Sequence, residues 1–168
     1  ELDRIVTQGN AAHGLDLALH AGLLPVVLPE VTAPALSRMR VLGACDSVIA
    51  WSAVLLDVPD RIEAIALRLR WSSARRRDVA EAIGIVQAIA RWPTLTVAER
   101  KRAARRATFG QALVVAGAAG HDEATAREAL AWSEQELRPT PLLSGADLKA
   151  RGHAPGPGED RRPGPAPQ

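Results

Sequence analysis

The chain has 168 residues, 47% hydrophobic and 24% charged, with a formal net charge of +2. That composition suits a folded globular protein and excludes wholesale disorder. One cysteine, Cys45, excludes a disulfide framework and a cysteine-rich zinc site. Pro25, Pro29, Pro34 and scattered charges interrupt every apolar run before the ~20 residues a membrane span requires. The opening Glu1-Leu2-Asp3-Arg4 has no basic region followed by an apolar stretch, so it does not read as a signal peptide. A soluble, cytoplasmic chain is expected. Because it opens on Glu1 and has Met39 as its only methionine, it reads as a piece of a longer or processed product. Aromatics are 3%, with no tyrosine, and alanine, leucine and arginine are abundant, which favours helix over strand. The expected fold is all-α, a bundle of short to medium helices.

In chain order, Asn10 is placed to cap a helix through Ala21, with Leu15, Ala18 and Leu19 on one side and Gly22 ending it. Pro25 suits the first turn of a short helix that Pro29 stops, and another follows Pro34 to near Gly43. Asp46 caps a stretch from Val48 to Leu56 that is apolar nearly all round, the pattern of a buried helix. Ile62, Ile65, Ala66 and Leu69 repeat at helical spacing within Arg61–Leu69. Ser72 or Ser73 caps the longest helix, to about Arg91, lined by Val79, Ile83, Val86 and Ala90. Thr96-Val97-Ala98-Glu99 is a capping-box pattern opening a basic helix to about Arg106. Phe109–Ala118 and Glu123–Leu137 complete a helical body over residues 1–137.

Composition changes at Arg138. Residues 138–157 carry one short helix, with Ser144 as its cap, Asp147 at its third position and Gly152 as its stop. Residues 158–168, dominated by proline, glycine and charge, are expected to be disordered.

Charge is segregated along the chain. Arg61–Arg77 holds Arg61, Arg68, Arg70, Arg75, Arg76 and Arg77 against Glu63 alone. Arg91–Arg106 holds Arg91, Arg100, Lys101, Arg102, Arg105 and Arg106 against Glu99 alone. His121–Glu136 is acidic, with Arg127 its one basic residue. Two basic blocks make a polyanion the natural partner, and solvated helix faces are the plainer reading. Arg75, Arg76 and Arg77 fall in the first turn of their helix, where positive charge opposes the helix dipole.

No catalytic set is visible. His13, His20, His121 and His153 have no paired metal-ligand spacing, and Cys45 has no positioned histidine. Trp51, Trp71, Trp92 and Trp132 read as core anchors. Trp71 and Trp92 flank the basic blocks and are the two aromatic candidates for stacking on a nucleotide.

Two segments carry a family resemblance. Gly22-Leu23-Leu24-Pro25-Val26-Val27-Leu28-Pro29-Glu30 resembles the G-L-L-x-x-h-L-P-E stretch that follows the neck helices of bacterial tRNA nucleotidyltransferases and poly(A) polymerases, the class II CCA-adding family. Pro141-Leu142-Leu143-Ser144-Gly145-Ala146-Asp147-Leu148, running on through Gly152 to Pro155-Gly156-Pro157, resembles that family's tail motif. Between them, Ile65-Ala66-Leu67-Arg68-Leu69-Arg70-Trp71-Ser72 is similar to its L-R-L-S helix junction.

The resemblance implies an RNA-binding body and tail that hold the acceptor–TΨC arm of tRNA. In the family the catalytic head precedes this region, with a G-S motif for the triphosphate and a D-x-D pair for Mg²⁺. The chain contains no D-x-D, so no catalytic residue is carried over. Mg²⁺, ATP and CTP are implied only for the full-length family, and this chain alone is expected to be non-catalytic. After Pro157 the chain lacks the apolar spacing of the further helix the family places there.

Folded RNA is held largely through phosphate and shape. The expected phosphate contacts are therefore Arg75, Arg76, Arg77, Arg100, Lys101, Arg102, Arg105 and Arg106, with Lys149 and Arg151 on the tail helix. This requires arginines from separate helices to converge on one surface. The alternative is a helical protein-interaction module, in which the acidic segment and the basic helices dock partners.

Overall fold

A computed structural model describes residues 1–139 and 145–152 of the chain. Every regular element among them is helical, as the composition predicts. The chain divides into two units, 1–133 and 134–168. In the first lie α1 (Leu2–Thr7), α2 (Ala11–His20), α3 (Leu24–Val27), α4 (Ala33–Leu42), α5 (Ser47–Leu55), α6 (Ile62–Arg68), α7 (Ser73–Ile89), α8 (Val97–Ala104), α9 (Phe109–Ala118) and α10 (Ala124–Arg127). Short 3-10 turns at Pro59–Arg61, Trp92–Thr94 and Glu128–Ala131 join or extend them.

The helix ends follow from side-chain chemistry. Asp46 accepts from the Val48 and Ile49 amides at 2.8 and 3.0 Å, satisfying two free donors of the first turn of α5. Ser72 caps α7 by accepting from the Arg75 amide. Thr96 and Glu99 form the reciprocal capping box of α8, and the Thr96 donors hold the Glu99 carboxyl below its ordinary value. At the end of α2, Gly22 takes φ +70. There the Leu23 amide reaches the Ala18 carbonyl and the Gly22 amide the Leu19 carbonyl, a Schellman pair that turns the chain into α3.

Two local expectations are corrected and one helix is added. Asn10 stands at the start of α2 but makes no side-chain cap bond, because a turn accepting at the Gln8 carbonyl feeds the helix instead. A helix before Asn10 was not anticipated, yet Leu2, Ile5 and Val6 at i, i+3, i+4 form α1 and bury Val6. The expected Glu123–Leu137 helix is three pieces. Ala126, Ala129 and Trp132, spaced by three, face the core, and the tighter 3-10 turn aligns residues three apart. Trp132 is then extended, ending the run.

The core is built around α5, whose residues 50–55 are all buried. It packs on α7, α4, α9 and α1, which supply Ile83, Val86, Met39, Leu113 and Val6. Trp51 and Trp92 are fully buried, and Trp71 and Trp132 are half-buried against the same core. Trp51 donates to Asp3 at 2.7 Å and meets Trp71 edge-on, with ring centroids 4.9 Å apart. One ion pair is internal. Arg38 on α4 donates to both Asp57 oxygens, at 3.2 and 2.6 Å, and to the Ala53 carbonyl at 2.7 Å near the C-terminus of α5.

Described by itself, the second unit contains α11 (Glu134–Leu137) and α12 (Gly145–Ala150). Arg138 pairs with Glu134 at 3.2 Å. Helix α12 matches the short tail helix expected from the sequence, and Gly152 follows it at φ +84. The Ser144 cap and the disorder expected for 158–168 lie outside the described residues.

Candidate nucleic-acid interface

Helix α7 turns Val79, Ile83 and Val86 inward, which leaves Arg77, Glu81, Gly84 and Ala88 as one stripe on its outer surface. Helix α8 runs beside this stripe because Arg100 ties it to the preceding 3-10 turn. The Arg100 guanidinium donates to the Trp92 and Pro93 carbonyls at 3.1 and 3.0 Å and lies over the Trp92 ring. Between the stripe and α8 opens a groove of about 490 Å³, lined by Arg77, Glu81 and Gly84 from one side and Arg102 and Arg106 from the other.

This groove gathers arginines from both basic blocks. The Arg77 side chain is 73% exposed and, among the described residues, pairs only with its neighbour Asp78, at 3.1 Å. Arg106 contacts Glu81 at 3.3 Å while Thr108 donates to the other Glu81 oxygen at 2.9 Å. Arg102 has no hydrogen bond or ion pair among the described residues. Three arginines therefore line the groove against two carboxylates, Glu81 held by Thr108 and Arg106, and Asp78 paired with Arg77. The arrangement offers excess positive charge over a floor of small residues, suited to a phosphate-bearing strand.

The floor contains an unusual residue. Gly84 lies mid-helix and exposed, and a Cβ built there meets nothing within 4 Å. Glycine in an exposed helix interior costs roughly 1 kcal/mol relative to alanine. Neither internal packing nor a left-handed backbone accounts for it.

The other expected contacts are distributed differently. Arg75 is committed to Asp3 at 2.6 Å and lies over the Trp71 ring, and Arg76 is paired with Glu63. Together with Asp78 on Arg77, these acids offset the adverse charge that three arginines place at the start of α7. Arg100 serves α8 internally. Lys101 and Arg105 carry no ion pair among the described residues and do not line the groove. Lys149 and Arg151 belong to α12 and the turn after it, in the second unit. Burial removes Trp92 as a stacking platform. The sequence reading missed Glu81 and Gly84; glycine inside a strong helical pattern was the available signal.

Among the described residues no group of three or more His, Cys, Asp or Glu is placed to hold a metal ion. Cys45 is half-buried, and burial followed by the adjacent Asp46 charge pushes its thiol up, away from the reactive thiolate. None of these helices is long and apolar enough to cross a membrane. The chain matches no known family, curated protein or solved structure.

Proposed function

We propose that this chain is an RNA-binding helical body, with tRNA as its partner. It would serve 3′-end nucleotide addition by a catalytic head of the tRNA nucleotidyltransferase or poly(A) polymerase kind. The observation that supports the reading is the groove in which Arg77 meets Arg102 and Arg106. Positive groups fixed on rigid helices bind sugar–phosphate by charge and shape without reading bases.

Fluorescence anisotropy of labelled tRNA across a salt titration tests it. If three phosphates are neutralised, log K falls with log salt at a slope of about −2 to −3. The double reversal R77E/R102E flattens that slope and weakens binding by roughly a hundredfold at low salt. A salt-independent affinity, or one unmoved by the reversal, refutes the proposal.

A second reading, a protein-interaction module, draws on a different surface. At the corner between α2 and α3, Leu19, Leu23, Val26 and Val27 are exposed, with Val26 at 78%. Light scattering with and without tRNA separates the readings: self-association without RNA favours the module, and a one-to-one complex favours the RNA body.

A further inference from the structure

Gly84 is the least expected residue in the groove. Its backbone is right-handed, its position is solvent-exposed, and the space above its Cα is open. Glycine is, after proline, the least favourable residue for a helix interior, so a position with no packing demand should be better filled by alanine. What the missing side chain provides is clearance. The helix surface at Gly84 can be approached to van der Waals distance only while no side chain stands there, and the groove it floors is walled by three guanidinium groups.

Resting on the RNA-binding reading, we infer that Gly84 is a clearance position at which a sugar–phosphate backbone lies directly against α7. Arg77 engages its phosphates from the α7 side, and Arg102 and Arg106 engage them from the α8 side. Several observations favour a phosphodiester strand over a compact anion. The groove is open, not enclosed, and runs along the α7 stripe from Arg77 through Glu81 and Gly84 to Ala88. Its arginines come from separate elements, Arg77 at the start of α7, Arg102 on α8 and Arg106 in the turn after it, which suits charges repeated along a chain. Arg106 already spends one N–H on Glu81, which Thr108 also anchors, so that carboxylate is fixed in place with its charge offset by Arg106, and Arg102 supplies the surplus positive charge.

The inference separates stability from binding, and its test uses that separation. Three variants of the full chain are made: G84A, G84Q and, as a size control on the exposed surface of α6, A64Q. In thermal unfolding, G84A and G84Q are expected to raise the Tm by about 2–4 °C, because both residues are better helix formers than glycine. In tRNA anisotropy at low salt, affinity is expected to fall in the order glycine, alanine, glutamine, with G84Q weaker by at least about tenfold. A64Q should bind as the wild type does.

Wild-type affinity in G84Q overturns the inference, and so does a G84Q chain that fails to fold, since the Cβ space would then not be open. If G84Q binds normally while R77E/R102E loses tRNA, clearance fails and the RNA reading stands. A wild-type chain with no tRNA affinity overturns both.

Discussion

Replacing Arg38 with methionine isolates the one ion pair inside the body. The Arg38 side chain is 7% exposed and that of Asp57 is 34%, so the pair lies between the buried and surface cases. Full burial would make loss of one partner cost about 3–5 kcal/mol, whereas an exposed pair contributes about 0–1. Water can reach Asp57 once Arg38 is gone, and Thr32 still donates to it at 2.6 Å, which places the ion-pair loss near 1–2 kcal/mol. The Ala53 carbonyl loses the donor at 2.7 Å that satisfied it near the end of α5, adding roughly 1 kcal/mol. Methionine retains the apolar stem, so little is owed to a cavity. The expected total is about 2–3 kcal/mol, read as a lower urea midpoint with an unchanged m value in tryptophan fluorescence. The converse variant D57N strands the guanidinium and should cost at least as much. Should R38M lose under about 0.5 kcal/mol, the pair is not holding α4 to α5 and the argument fails.

Acid should act through the same residue. Burial pushes Asp57 up, but its bonds from Arg38 and Thr32 and the Arg38 charge outweigh that and hold it below its ordinary 3.8. Asp3 is lowered likewise, its burial being outweighed by Trp51 and Arg75. A carboxyl depressed in the fold stabilises fully above its unfolded value and loses that contribution as pH falls through the folded one. Urea midpoints should therefore drop below about pH 4, by less in D57N than in the wild type, and equal drops would contradict the assignment. Arg70, at φ 53, occupies the left-handed position that ends α6, where the Trp71 amide reaches the Ala66 carbonyl at 2.8 Å. R70G should relieve about 1 kcal/mol of Cβ strain, partly offset by glycine's freer unfolded chain, for a Tm gain of about 2 °C. A lower Tm would show that the arginine side chain itself is needed there.

Much of the fold was legible because its signals are local. Asp46 precedes an apolar stretch, Ser72 and the Thr96–Glu99 capping box each open a helix, and Gly22 supplies the left-handed stop that a sequence can announce. The end of α6 was less legible because its left-handed residue is arginine. The break in 123–137 was hidden because alanines three apart suit both a fraying α-helix and a 3-10 turn. For the site, the basic blocks are plain as runs, but their pairing is not. Asp3 lies 72 residues from Arg75, Glu63 lies 13 from Arg76, and Glu81 lies 25 from Arg106. Which cations remain available is a property of tertiary structure, and only folding separates Arg102 from Arg75.

The encirclement of α5 also bears on synthesis. Its apolar circumference is closed by α1 and α4 from before it and by α7 and α9 from after it. A nascent chain that has released α5 from the ribosome therefore still shows water the faces destined for α7 and α9. Those faces remain uncovered until residue 118 has emerged. During that interval the growing polypeptide offers a ready target to chaperones that recognise apolar segments.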